Sequence, residues 1–150
     1  MEIKTTPPVK VMFFTTRTTL EELESFAIKV AEQLYAEIAR QQLIPTGPQY
    51  WTYHGLDGKP ETVFTLEICV PVNKEPAEES VFLFKELVPF KCASVLHNGS
   101  WDKLSKVYDT TIKNIFANQK QMNGFFRELY INIDMNNPAN NITEVQIGIN

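Results

Sequence analysis

The chain is short of the residues that build metal sites and covalent frameworks. Among its 150 residues are two cysteines, Cys69 and Cys92, and two histidines, His54 and His97. These four show no metal-ligand spacing, so no metal and no other cofactor is expected. Two separated cysteines make no disulfide framework and are read as reduced, core-filling side chains. No apolar run approaches the roughly 20 residues that span a bilayer. The first residues, Met1-Glu2-Ile3-Lys4-Thr5-Thr6-Pro7-Pro8, lack the apolar stretch of an export signal. Positive charge is not in excess either: 14 basic against 18 acidic residues give a net charge of −4. That argues against direct contact with nucleic acid or an anionic membrane, both of which need a positive field. It leaves a cationic ligand open. Also missing are G-x-S-x-G, a glycine-rich phosphate loop and H-E-x-x-H. The expectation is a cytoplasmic protein with no membrane segment and no catalytic signature.

What is present is an ordinary globular composition, 43% apolar and 21% charged, in a chain of one-domain length. Val9 to Thr15 is β-branched and aromatic and predicts a strand. Thr19-Leu20-Glu21-Glu22 has the form of a capping box. Leu23, Ala27, Val30, Leu34 and Ile38 then make one apolar stripe, so a helix is expected over 20–42, ended by Pro45-Thr46-Gly47-Pro48. Two strands follow, over 49–53 and 62–72, separated by turn chemistry at His54 to Pro60. The second half repeats the order. Strand 90–97 leads to a helix with Trp101, Leu104, Tyr108, Ile112 and Ile115 on one stripe, then to strands 125–131 and 143–149.

The order strand, helix, strand, strand is thus written twice, and one spacing supports a true repeat. Tyr53 precedes Glu67 by the same interval as Tyr130 precedes Glu144. The expected fold is α+β: duplicated β-α-β-β units with pseudo-two-fold symmetry, forming an antiparallel sheet with two long helices on one face. The repeats fall at about 8–73 and 89–150, joined by a linker at about 74–88, in a single domain. The uncovered side of the sheet, near the pseudo-axis, is the expected place for a central cleft.

Candidate site residues follow from strand alternation. Trp51 and Tyr53 share a face, and so do Glu128 and Tyr130, with Arg127 and Leu129 pointing the other way. Trp101 and Tyr108 share a helix stripe. Aromatic stripes of this kind serve as core or as ligand walls. A carboxylate among such rings can hold an amphipathic cation through opposite charge and cation–π attraction. Of the strand carboxylates, Glu144 is read as facing solvent, Glu67 as evenly poised between solvent and cavity, and Glu128 as turned into a cavity. His97 is read as bonding its turn, and His54 as a solvated turn residue.

Five fragments then resemble one family. They are Gly47-Pro48-x-x-x-x-Tyr53, Glu67-x-x-x-Pro71-Val72, Ala93-Ser94-Val95-Leu96-His97-x-Gly99-x-Trp101-x-x-Leu104, Arg127-Glu128-x-Tyr130 and Thr143-Glu144-Val145-Gln146-Ile147. Together they resemble the GyrI-like small-molecule-binding domain, the effector-binding domain of AraC-type and MerR-type regulators, over about 8–150. The resemblance implies that Glu128 is the acidic residue on the cleft floor. It implies that Trp101 (where many members have tyrosine), Tyr108 and Tyr130 line the wall. Trp51, Tyr53 and Glu67 complete the candidate ligand-binding set from strand alternation. The resemblance also implies a hydrophobic, cationic or aromatic small molecule as ligand. Few residues precede the first strand, so a stand-alone domain without a DNA-reading head is expected. Two other roles stay open: hydrolytic opening of strained cyclopropane rings with Glu128 as general base, and a protein contact with a regulator or with gyrase. Haem is disfavoured, since no histidine falls at a cleft-lining position.

Overall fold

In the computed structural model, which describes residues 1–150, the chain runs β1 (Glu2–Thr6), β2 (Val9–Thr18), α1 (Leu20–Leu23), α2 (Ala27–Arg40), β3 (Tyr50–His54), β4 (Phe64–Pro71), β5 (Leu83–Leu87), β6 (Phe90–Asn98), α3 (Leu104–Ala117), β7 (Met122–Asn132) and β8 (Ile142–Ile149). Short 3-10 turns stand at Trp101–Lys103 and Pro138–Asn140. All strands join one sheet in the order β1-β6-β8-β7-β3-β4-β2-β5, and every pairing is antiparallel. The fold is the expected α+β duplication, with one addition to each unit.

That addition is a leading strand. β1 precedes β2 in the chain yet pairs with β6, and β5 precedes β6 yet pairs with β2. Each half therefore gives its first strand to the other half, and the sheet order reads the same from both ends. β5 lies inside the segment expected as a linker. Both added strands are short, edge-placed and rich in charge or threonine, which hides them from an apolar pattern.

The duplication is exact in register. Tyr53 pairs with Leu66, the residue before Glu67, and Tyr130 pairs with Thr143, the residue before Glu144. The helices also end alike. Gln42 and Gln119 each adopt φ 57°, and the next residue of each donates back into its helix, Leu43 to the Ile38 carbonyl and Lys120 to that of Ile115. These are left-handed C-terminal caps, with glutamine where glycine is usual.

Half of the expected capping box forms: the Thr19 side chain accepts the Glu22 N–H at 3.2 Å. The helix it starts does not run unbroken to residue 42. It stops at Leu23 and resumes at Ala27, with Phe26 at φ −137°. The core then forms from Ala27, Ala31, Leu34 and Ile38 of α2 and Leu104 and Ile115 of α3 against Met12, Phe64, Leu66, Ile68, Val145 and Ile147 of the sheet. Helix α2 lies on β2 and β4, and α3 on β6. The two central strands, β3 and β7, are thus left beneath the gap between the helices. Cys69 and Cys92 are free and buried; burial pushes their thiols up to about 12 and about 11.

Strand β7 carries a register shift between Met122 and Phe126. It brings the Phe125 carbonyl against Gly148 of β8, so that a Cβ there would lie 2.8 Å from that oxygen and would collide with the Asn123 side chain. Asn123 can turn away, but a paired backbone carbonyl cannot. Gly148→Ala should therefore cost about 1–3 kcal/mol by overpacking, read as a lower midpoint in chemical denaturation. An unchanged midpoint would mean that the strands separate without cost at this point.

Candidate ligand-binding site

The pairing of β3 with β7 sets Trp51 directly opposite Glu128 at the centre of the sheet. In the duplication these two positions are equivalents, so one half supplies a ring where the other supplies an acid. Alternation turns Trp51, Tyr53, Phe126, Glu128 and Tyr130 to the helix-bearing face, into the gap between α2 and α3. The expected cleft on the uncovered face is therefore not where Glu128 lies. Phe126 belongs to the core under the helices, and this fixes the facing of its alternate neighbours.

Glu128 is 7% exposed and bound by hydroxyl groups alone. Tyr108 of α3 donates to its Oε1 at 2.7 Å. Tyr53 donates to Oε2 at 3.3 Å, and Tyr130 donates to the same oxygen. No lysine or arginine pairs with it; the ion pairs of the molecule are Lys4–Glu144, Arg40 with Glu37 and Glu78, and Lys85–Glu67. Rings close the cage. Trp51 meets Tyr130 edge-on at 5.2 Å between centroids, Trp101 does so at 5.4 Å, and Tyr108 leans on Phe126 at 6.0 Å. Both indoles are themselves anchored, Trp51 to Gln49 Oε1 at 2.9 Å and Trp101 to Thr143 Oγ1 at 3.1 Å. Trp51, Trp101 and Tyr108 remain half-buried, so they form the outer rim.

The electrostatics follow from this enclosure. Burial pushes the Glu128 carboxyl above its ordinary value, although the three hydroxyl bonds pull it down. Burial first, and the Glu128 charge second, hold Tyr53, Tyr108 and Tyr130 well above the usual phenol value. The tyrosines therefore stay neutral donors, and Glu128 is the one acid among them.

Six of the seven sequence candidates thus meet: Glu128, Tyr130, Tyr108, Tyr53, Trp51 and Trp101. Glu67 does not join them. It stands on the opposite face, where both its oxygens take Lys85 Nζ, at 2.6 and 2.7 Å, and one takes the Thr52 hydroxyl at 3.3 Å. It is one residue out of step with Leu66 and Ile68, which face the core. Glu144, read as solvent-facing, is tied instead to Lys4, Ser94 and Gln146. His97 Nε2 donates to the Ser100 carbonyl at 3.0 Å, holding the turn before Trp101. His54 is exposed and stacks on Phe125 at 4.0 Å. Gln49 and Thr143, which orient the indoles, carry no signal in sequence beyond their polarity within strands.

The fold is a duplicated α+β sheet with an acid caged by tyrosines beneath α3. The chain belongs to the GyrI-like small molecule binding domain family, whose model matches residues 1–150. No curated protein matches it. Among solved structures, the C-terminal domain of EcmrR matches with a TM-score of 0.81 at 23% identity, over 99% of this chain and 96% of that one. The longer EcmrR chain in its DNA complex matches at 0.79 and 23%; there the present chain covers 56% of the other's length and 99% of its own. SAV2435 bound to tetraphenylphosphonium matches at 0.66 and 15%, over 100% and 94%. A hydrolase encoded by lin2189 from Listeria innocua matches at 0.69 and 10%, over 99% and 91%. At these identities the likeness is one of fold. No helix is long and apolar enough to cross a membrane.

The sign of the Glu128 shift gives a test. A carboxyl whose folded-state pKa is raised holds its proton more tightly in the folded chain. Its contribution is present in acid and is lost as the pH rises through the folded value. Thermal denaturation from acid to neutral pH should show the wild type losing stability relative to Glu128→Gln along that rise. A difference that stays constant with pH would mean that the carboxylate ionises inside the cage without penalty.

Proposed function

We propose that the gap between the helices receives a lipophilic organic cation, with Glu128 as its counter-charge and the rings of Trp51, Trp101, Tyr108 and Tyr130 as its walls. The observation that carries this reading is a buried carboxylate with three hydroxyl donors and no cation of its own. Desolvating such a charge is costly, and an incoming cation offsets the cost. The rings add apolar area and cation–π attraction. Hydroxyl donors hold the carboxylate in place without competing with the ligand, as a lysine would. A relative of the same fold, SAV2435, has been seen with tetraphenylphosphonium, which supports this class of ligand.

The cage as it stands is filled at its floor, so the ligand must turn the rim aside. Trp101 is the ring best placed to move. It sits on the short turn Trp101–Lys103 behind Gly99, whose φ of 133° suits glycine alone, and its indole is held by a single hydrogen bond to Thr143. Swinging this turn outward exposes Tyr108 and then Glu128.

Calorimetric titration with tetraphenylphosphonium tests the reading. The wild type should bind it, and Glu128→Gln should weaken binding roughly tenfold or more, the scale of a charge-assisted contact. Failure of the wild type to bind any lipophilic cation would end the proposal. A hydrolytic reading uses the same residue, since a carboxyl raised by burial suits a general base, and a hydrolase shares the fold. It requires product from a strained-ring substrate, lost in Glu128→Gln while binding survives. The binding reading requires the compound to be recovered unchanged.

A further inference from the structure

The face of the sheet away from the helices holds a cavity of about 560 Å³, within the range that suits a small organic molecule. Thr52, Glu67, Lys85, Leu87, Phe90 and Arg127 are among its lining residues. The stretch from Leu87 to Phe90 roofs it, because this link carries the chain from β5 at one end of the sheet to β6 near the other.

Arg127 is the unusual member. It is 7% exposed, and no carboxylate pairs with it. Its single hydrogen bond is long, from Nη1 to Thr6 Oγ1 at 3.4 Å. Its guanidinium lies over the Phe90 ring, 4.1 Å from the centroid. A guanidinium has five N–H donors in a planar fork and is never deprotonated; the bond to Thr6 uses one of them, and Arg127 lines the cavity. Two acids share the wall. Glu67 is already bound by Lys85 and Thr52, and Glu86 is exposed. Burial pulls Arg127 below the usual guanidinium value, with only distant negative groups to oppose it.

We propose that this cavity is a second binding site, of opposite preference, in which Arg127 takes the carboxylate of a small aromatic acid. The planar fork matches a carboxylate with two parallel bonds. Leu87, Phe90 and Phe125 supply apolar wall for the acid's ring. Arg127 and Glu128 are consecutive on β7, so alternation sends one charge to each face of the sheet. The two sites stand back to back through a single layer of strands.

The test uses the whole chain, with benzoate and inorganic phosphate as separate probes, followed by thermal shift and by nuclear magnetic resonance. Benzoate should raise the melting temperature saturably and move the Leu87 methyl signals and those of Thr65, another lining residue, leaving the indole N–H signals of Trp51 and Trp101 in place. Arg127→Gln should weaken benzoate at least roughly tenfold. Arg127→Lys, which keeps the charge and loses the fork, should fall between, and it serves if the glutamine variant does not fold. The proposal is overturned if benzoate gives no saturable shift, if the shifted signals are the two indoles, or if the variants bind as the wild type does. Binding of phosphate without benzoate overturns the assignment to a carboxylate.

Discussion

Neither half of this molecule completes its own sheet. Each repeat sends its leading strand to the far edge of the other, and the exchange is sealed by a pair of equivalent ionic contacts. Lys85 of β5 meets Glu67 of β4, and Lys4 of β1 meets Glu144 of β8. By register these lysines correspond, as do the two glutamates. The exchange has two effects. It covers the outer edges of β2 and β6, which would otherwise present unpaired backbone, and it forces the chain between β5 and β6 to cross the open face. The cavity below the sheet follows from that wiring.

The groove depends further on the central pair of strands. Helices α2 and α3 rest chiefly on the outer strands of their own halves, and β3 and β7 lie between those strands. Whatever these strands turn upward becomes the floor of the groove. Phe126 settles the facing, because it is needed in the core, and Glu128 and Tyr130 follow by alternation. The acid is then dry enough for its charge to matter, and its hydrogen bonds come from groups that remain neutral. This is an arrangement in which an acid is held by neutral donors rather than by an opposite charge.

Much of this was legible in the residues. The six interior strands are β-branched or aromatic and are bounded by Pro, Gly and Asn, and both helices announce themselves by apolar stripes. The shared face of Glu128 and Tyr130 needs only a period of two. The edge strands Glu-Ile-Lys-Thr-Thr and Leu-Phe-Lys-Glu-Leu were not legible, because their pairing is decided by the exchange and not by local pattern. The break at Glu24–Phe26 was hidden by an apolar stripe that continues across it. Glu67 was ambiguous because an acid in an apolar strand reads alike whether it faces a cavity or a lysine; only the position of Lys85 on an unforeseen strand decides it. The face to which Glu128 turns was not legible for a related reason. A gap between two helices is a property of how far apart they pack, and no residue spacing records that distance.

The opposition of Trp51 and Glu128 across the pseudo-axis has one more consequence. A duplicated architecture invites a guest that could lie in it either way round, like a key with two identical edges. Here the halves differ where their central strands meet. On the function proposed above, a guest with a charged head and an aromatic body would take a single orientation, head toward the second repeat and body toward the first, so the doubled architecture has polarity.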